Sequence, residues 1–458
     1  MGADLVIASN RGPLSFALDD AGRPVPAGSG GGLASALHPL LEGSGATWVA
    51  CAMSDADRKA TTDGLMTERG LRLIMVQPDP DTYRMAYDVV SNATLWFVHH
   101  GLFDLPRRPR FDRHFAAAWE AYRELNRCFA VALDDAAAPG ATVLVQDYHL
   151  CLVPGMLART RPDLRTVHFT HTPFGDPGDL RVLPTDVAIE ILAGMADAAA
   201  CGFHTARWEA SFRACCVEAG IEPRHTFVSP LSPDAGHLAE RAASAECVAA
   251  GGRLDDMLQG RRMVLRVDRI EPAKNLLRGF WAFDELLRAR PDLRGTVVML
   301  ALAYGSRQTL PEYLAYGAEV EQVVRRVNDT WATADWVPII LDVADDAGRS
   351  LAALRRYDVL LVNSLRDGLN LVAKEGPLVN TTDGVLALSR EAGAFAELRG
   401  QALEVNPYDV SGTAAVLGAA LDLPRPERAL RAEALRALVA LRQPGDWLAD
   451  QLAAAISG

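Results

Sequence analysis

Residues 359–376 read VLLVNSLRDGLNLVAKEG. The apolar run from Val359 does not alternate with polar residues, which is the pattern of a strand covered on both faces in a parallel sheet. A turn follows at Arg366, Asp367 and Gly368, and Asn370–Lys374 has the composition of a first helical turn. Strand, turn and helix in this order are the repeating unit of a parallel α/β fold. Its turn lies at the carboxyl edge of the sheet, where such folds bind ligands. A helix start offers free N–H groups to phosphate oxygens. Asp367 can accept sugar hydroxyls and Glu375 the two hydroxyls of a ribose, because hydrogen bonds to a charged acceptor are strong. The alternatives are local: Asp367 as a turn former, Glu375 as a partner of the helix dipole.

The same alternation extends outward in both directions. Leu5–Ser9, Thr142–Gln146 and Arg165–Phe169 read as strands in the first half, and Met263–Val267 and Thr296–Leu302 join Val359–Asn363 in the second. Between them lie helical stretches such as Asn275–Arg288, with Leu277, Phe280, Trp281 and Phe283 on one side. The turn-rich SPLSPDAGH and the polar, Ala-rich stretch after it form a seam near residues 229–260. The expected organisation is an N-terminal Rossmann-like domain over 1–232, a second over 233–442, and a C-terminal helix over 443–458 packing back across the first. Parallel sheets facing a central cleft complete that expectation.

Bulk properties bound the function. The chain has 458 residues, 49% hydrophobic and 23% charged, which suits large cores. A net charge of −12 argues against nucleic acid or an anionic membrane as partner, so an anionic ligand must be held by local Arg and Lys. Seven cysteines without a C-x-x-C fit buried thiols in a reducing compartment. The N-terminus lacks a signal-peptide pattern and no apolar run reaches membrane-span length, so a cytoplasmic protein is expected.

Other loops carry candidate chemistry. VDRIEPAKN sets Arg269 and Lys274 five residues apart after a strand, a pair suited either to a diphosphate leaving group or to solvated salt bridges. VQDYHLCLVPG places Asp147 and His149, and VHFTHTPFGDPGDLRVLP places His171, just past two further strands. The glycines of GSGGGLASAL (28–37) suit a slack loop or a phosphate cradle, but they match neither a P-loop nor a dinucleotide fingerprint. The DPD at 79–81 sits in a proline-flanked turn and is read as a turn rather than a metal site. No zinc-type ligand spacing and no nucleophile elbow occur.

Together ASNRGPL, GGGLASAL, SNATLW, QDYHLCLVPGML, FTHTPFGDPGDLRVLP, VDRIEPAKN, SLRDGLNLVAKE, LSREAGAFAEL and NPYDV resemble, in order over roughly residues 5–410, the trehalose-6-phosphate synthase family of retaining glycosyltransferases. The resemblance implies the two-domain GT-B fold. Arg269 and Lys274 match the pair that neutralises the donor diphosphate. Asp367 matches the contact to donor glucose hydroxyls, Glu375 the ribose contact, and backbone amides at Leu369, Asn370 and Leu371 the rest of the phosphate site. His171 matches the residue beside the transferred sugar, and Gly32 the loop glycine near the diphosphate. Arg11, Tyr87, Trp96 and Arg307 match the pocket for the acceptor's phosphate, and Asp147 the residue that binds acceptor hydroxyls. Three departures stand out. Trp48 is kept but Cys51 replaces a second tryptophan. Glu271-Pro272-Ala273-Lys274-Asn275 replaces the common Asp-Tyr-x-Lys-Gly. FGDPGDL replaces the usual FPxxE-type loop.

The implied reaction moves glucose from GDP- or UDP-glucose to glucose 6-phosphate, with retention and without a metal or other cofactor. Other readings are a pseudo-glycosyltransferase that couples cyclitols through nitrogen, and a non-catalytic sugar-phosphate sensor. The sensor reading is disfavoured because the two cations and two carboxylates all stand. The donor base and any homo-oligomer are left open by the sequence.

Overall fold

The computed structural model describes residues 2–27, 37–61, 65–68 and 70–457, with the backbone alone over 65–68. The glycine-rich stretch with Gly32 lies outside the described residues. The chain divides into two compact units, Met1–Pro230 with Pro444–Gly458, and Leu231–Gln443.

In the first unit the main strands are β1 (Ala3–Ala8), β4 (Thr47–Cys51), β5 (Leu65–Glu68), β6 (Leu71–Val76), β7 (Ala137–Gln146), β8 (Arg165–Thr170), β9 (Ala200–Phe203) and β10 (Thr226–Val228). They form one sheet in the order β10-β9-β8-β7-β1-β4-β6-β5, parallel except for the edge strand β5. A separate hairpin joins β2 (Phe16–Leu18) to β3 (Pro24–Pro26). The interior strands are apolar on both faces, as parallel strands with helices on either side must be. Leu144, Val167 and Ala200 pack with Ala454 and Ala455 of the last helix, Pro444–Ser457, which explains why that helix belongs to this unit.

The second unit holds β11 (Arg262–Ile270), β12 (Val297–Gly305), β13 (Ile339–Asp342), β14 (Val359–Val362), β15 (Val385–Ser389) and β16 (Leu403–Val405), all parallel in the order β13-β12-β11-β14-β15-β16. The β11/β12 register runs to Ile270 opposite Gly305, so the segments after these two strands leave the sheet side by side. That pairing positions the cations described below.

Several local expectations are corrected. The helix after β14 begins at Val372, not near Asn370, because Asn370 adopts φ 76° and its side chain accepts from Ala373 N–H at 3.1 Å. The helix Leu276–Ala289 buries Leu276, Phe280, Phe283 and Leu287, a 3.6-residue stripe, and leaves Leu277 and Trp281 half-buried. The Ala-rich seam is itself helical, over Ala235–Ala242 and Ala245–Leu258. Gly251 and Gly252 lie inside the second of these helices, and a Cβ at either meets nothing within 4 Å. Glycine in a helix interior costs about 0.5–1 kcal/mol against alanine. Gly251→Ala and Gly252→Ala are each expected to raise the thermal midpoint by about one to two degrees, read by calorimetry; a lower midpoint would contradict the open surroundings. Among the described residues no helix is long and apolar enough to cross a membrane.

Candidate active site

In the second unit the structure joins the predicted residues in two sets of contacts, one on Asp367 and one on Glu271. Lys274 ends a short 3-10 turn after β11, and its Nζ donates to Asp367 Oδ2 at 2.6 Å. The same oxygen accepts from Ser364 Oγ at 3.2 Å and Asn370 Nδ2 at 3.1 Å. Both charged side chains are only 15% exposed, so their attraction is weakly screened. Burial opposes the ammonium charge of Lys274, yet Asp367 and Asp268 hold its pKa above the usual lysine value. The second contact set centres on Glu271, whose Oε1 lies 3.1 Å from Arg269 Nη1 and 2.8 Å from Arg307 Nη1.

Arg266 fixes the loop that carries Lys274. It is fully buried, donates from Nε and Nη2 to Asp268 Oδ2, and reaches the backbone carbonyls of Lys274 at 2.8 Å and Asn275 at 3.4 Å. Gly279 makes room for it, since a Cβ there would stand 2.0 Å from Arg266 Nη1.

The loop of Asp367 is braced from the far side. Asp367 N–H donates to Glu391 O, Gly393 N–H to Asp367 O, and Ala394 N–H to Leu369 O at 2.7 Å. Beyond it, Leu371 and Val372 precede the ladder of the helix Val372–Val379, so their N–H groups have no acceptor within it. Leu369, Asn370 and Leu371 therefore sit at a helix entry, although Asn370 belongs to the turn. Glu375 stands in the first turn of that helix, and burial raises its carboxyl against the charge of Arg241.

The first unit gathers a separate set. Asp147 follows β7 with φ 71°, a conformation uncommon for a residue with a side chain. Its Oδ1 accepts from the backbone N–H of His171 at 3.1 Å and of Thr172 at 3.4 Å, which ties the two strand-end loops together. His171 Nε2 lies 2.9 Å from Gln146 Oε1, and its Nδ1 3.1 Å from His204 Nε2. Gln146 Nε2 in turn donates to Gln451 Oε1 of the last helix at 3.0 Å. Tyr87 lies in a π-helical segment, Met85–Leu95, and stacks on Tyr83 and on His149. Helices of this kind are rare and occur often at functional sites. Tyr83 also meets Asn10, beside the exposed Arg11. Trp96 is buried and stacks on His100, with ring centroids 4.0 Å apart.

Arg11, Tyr87, Trp96 and Asp147 thus belong to the first unit and Arg307 to the second. Trp48 is a core residue of β4, its indole N–H donating to Ser9 Oγ, and the replacing Cys51 is buried in the same strand. Asp79 of the DPD stretch caps the helix Pro80–Arg84 by accepting from Asp81 and Thr82 N–H. Among the described residues no group of three or more His, Cys, Asp or Glu could hold a metal ion.

Sequence reading treated Glu271 only as a departure and missed Arg266, Gly393, His204 and Gln451. The motifs VDRIEPAKN and LSREAGAFAEL contained Glu271 and Gly393; nothing in the sequence marked Gln451.

Burial holds the His171 imidazole at about 3 and that of His168 at about 4, both far below the ordinary histidine value. Both rings are neutral when folded and take up a proton on unfolding below about 6.5, so stability falls as pH drops from there toward 4. Thermal unfolding at about pH 5.5 is expected to show a lower midpoint than at neutral pH, equivalent for the two rings together to roughly 2–3 kcal/mol. His168→Gln should shrink the difference; an identical midpoint at both pH values would contradict it.

A family model described as Glycosyltransferase family 20 matches residues 3–456. The chain belongs to this family, that of the trehalose-6-phosphate synthases. It is a glycosyltransferase with the GT-B fold. The family 20 chain is 32% identical over 97% of its length to a trehalose-6-phosphate synthase of Mycolicibacterium smegmatis, covering 91% of that protein. It is 30% identical, over 99% of its own length, to a bifunctional trehalose-6-phosphate synthase/phosphatase of Thermoproteus tenax, and it spans 63% of that relative. A structure of a UDP-forming α,α-trehalose-phosphate synthase from Burkholderia xenovorans in complex with glucose-6-phosphate superposes with a TM-score of 0.87 at 26% identity, covering 98% and 99% of the two chains. A structure from E. coli bound with UDP-2-fluoro glucose matches with a TM-score of 0.85 at 26% identity, covering 98% of each chain.

Proposed function

We propose that this glycosyltransferase moves glucose from a nucleoside-diphosphate glucose, UDP-glucose first, to glucose 6-phosphate, giving α,α-trehalose 6-phosphate. The observation that carries the reading is the Lys274–Asp367 contact at 2.6 Å, a cation for the diphosphate held against a carboxylate for the sugar. Relatives whose structures hold UDP-2-fluoro glucose and glucose-6-phosphate support the substrate classes.

In this reading the leaving diphosphate gathers charge as its bond to glucose breaks. Arg269, Lys274 and the N–H groups at Leu369–Leu371 stabilise it, and such preorganised charge is usually the largest catalytic contribution. These groups supply the positive charge locally, so the transfer runs without a divalent ion. Asp367 accepts from hydroxyls of the donor glucose, Glu375 from the ribose, and neutral His171 stands beside the transferred sugar. Arg11, Tyr87, Trp96 and Arg307 receive the acceptor phosphate, and Asp147 the acceptor hydroxyls. The acceptor hydroxyl attacks from the face the diphosphate leaves, handing its proton to the leaving phosphate, so configuration is retained.

Steady-state rates with UDP-glucose, GDP-glucose and ADP-glucose, each with glucose 6-phosphate and with or without a chelator, test this. Turnover with at least UDP-glucose, unchanged by chelator, is expected. Rates abolished by chelator would contradict the metal-free chemistry, and no turnover with any donor would contradict the function.

A further inference from the structure

Glu271 stands where the notable departure from the family pattern lies, and it is 1% exposed. Three donors converge on its Oε1: Arg269 Nη1 at 3.1 Å, Arg307 Nη1 at 2.8 Å and Ser306 Oγ at 2.9 Å. Arg269 comes from the end of β11 and Arg307 from the segment after β12, the two strands that pair to Ile270 and Gly305. Their guanidinium groups repel each other, and they share one oxygen only because it carries negative charge. Burial alone would raise this carboxyl, but Arg269, then Arg307 and Lys274, pull it down to about 2, so it is charged at neutral pH.

Arg307 is held against a backbone preference. Its φ is 44°, in the region that side-chain-bearing residues seldom adopt, so surrounding contacts must fix it there. Glu271 is one of those contacts; another is Tyr313, whose hydroxyl oxygen accepts from Arg307 Nη1 at 2.9 Å and whose ring lies under the guanidinium.

We propose that Glu271 is a positioning residue for both substrates, one carboxylate oxygen orienting Arg269 for the donor diphosphate and Arg307 for the acceptor phosphate. This rests on the roles given to those two arginines above. Glu271 itself touches neither substrate; it acts through the two guanidinium groups. Each arginine used alone serves one ligand, whereas Glu271 serves two. Its removal therefore has a signature that neither arginine can produce.

The test is calorimetric titration with UDP and, separately, with glucose 6-phosphate, on wild type, Glu271→Gln, Glu271→Asp, Arg269→Ala and Arg307→Ala. Arg269→Ala is expected to weaken UDP alone and Arg307→Ala glucose 6-phosphate alone. Glu271→Gln keeps the shape and loses the charge, and should weaken both ligands about tenfold or more. Glu271→Asp keeps the charge on a shorter arm and should recover part of both affinities. Circular dichroism and thermal unfolding report whether each variant folds. If Glu271→Gln folds and weakens one ligand or neither while both arginine variants behave as stated, the proposal is overturned. If the arginine variants leave their ligands unaffected, the roles beneath the proposal are wrong and it falls with them.

Discussion

Lys274→Ala is expected to lower kcat by about a hundred- to a thousandfold while the chain still folds, the range typical for loss of one preorganised charge-stabilising group. Lys274 Nζ is buried against Asp367, and its backbone is held independently by Arg266 through the carbonyls of Lys274 and Asn275. Deleting the side chain therefore removes the ammonium without releasing the loop. Asp367 keeps donors from Ser364 and Asn370, so its orientation survives in part. The loss should appear mainly in kcat, because charge on the diphosphate is greatest as the glycosidic bond breaks. Lys274→Arg places a charge of different shape in the same space and should recover only a minor part. Near-normal kcat in Lys274→Ala would remove the ammonium from the catalytic account.

Gly393→Ala is the second large effect, and it comes from a residue that touches no substrate in this account. A Cβ on Gly393 would sit 2.0 Å from Gly368 O, 2.8 Å from Gly368 C and 2.9 Å from Leu369 Cα. These are backbone atoms, so no side chain can swing aside. The two segments must separate, which disturbs the hydrogen bonds from Gly393 to Asp367 and from Ala394 to Leu369. Overpacking of this kind costs about 1–3 kcal/mol. The larger consequence is displacement of Asp367 and of the amides at 369–371. Turnover should fall at least about a hundredfold, since displacements near 1 Å already have effects of that size. Measured kcat/KM beside the thermal midpoint separates the two effects. Wild-type turnover would show that the approach of Gly393 to Gly368 does not set the site.

Much of this was legible because burial and strand type leave direct marks on sequence. Val359–Val362 is apolar throughout, so a two-sided parallel strand and its carboxyl-edge loop could be read from it. The order of motifs then identified the family and GT-B fold. What escaped depends on contacts between distant segments. The exchange of Gln146 with Gln451 spans 305 positions, and Gln451 has no local signature. Glu271 looks like an ordinary acidic loop residue until β11 and β12 pair and bring Arg307 beside it. The entry at Asn370 was misread because apolar spacing marks a helix face, while the left-handed turn at that residue depends on its own side chain reaching Ala373. The polar, Ala-rich part of the seam near residues 229–260 carries Gly251 and Gly252, yet Ala245–Leu258 forms a helix around them, capped by Ser244.

The central claim is that the cation pair and carboxylates of the second unit drive glucosyl transfer with retention onto a sugar phosphate. The most direct measurement is proton NMR of the purified protein incubated with UDP-glucose and glucose 6-phosphate. The account predicts a single disaccharide phosphate whose two anomeric protons both carry the small coupling of α linkages, accumulating as UDP is released. A β-configured product, or UDP release without any disaccharide, would contradict it.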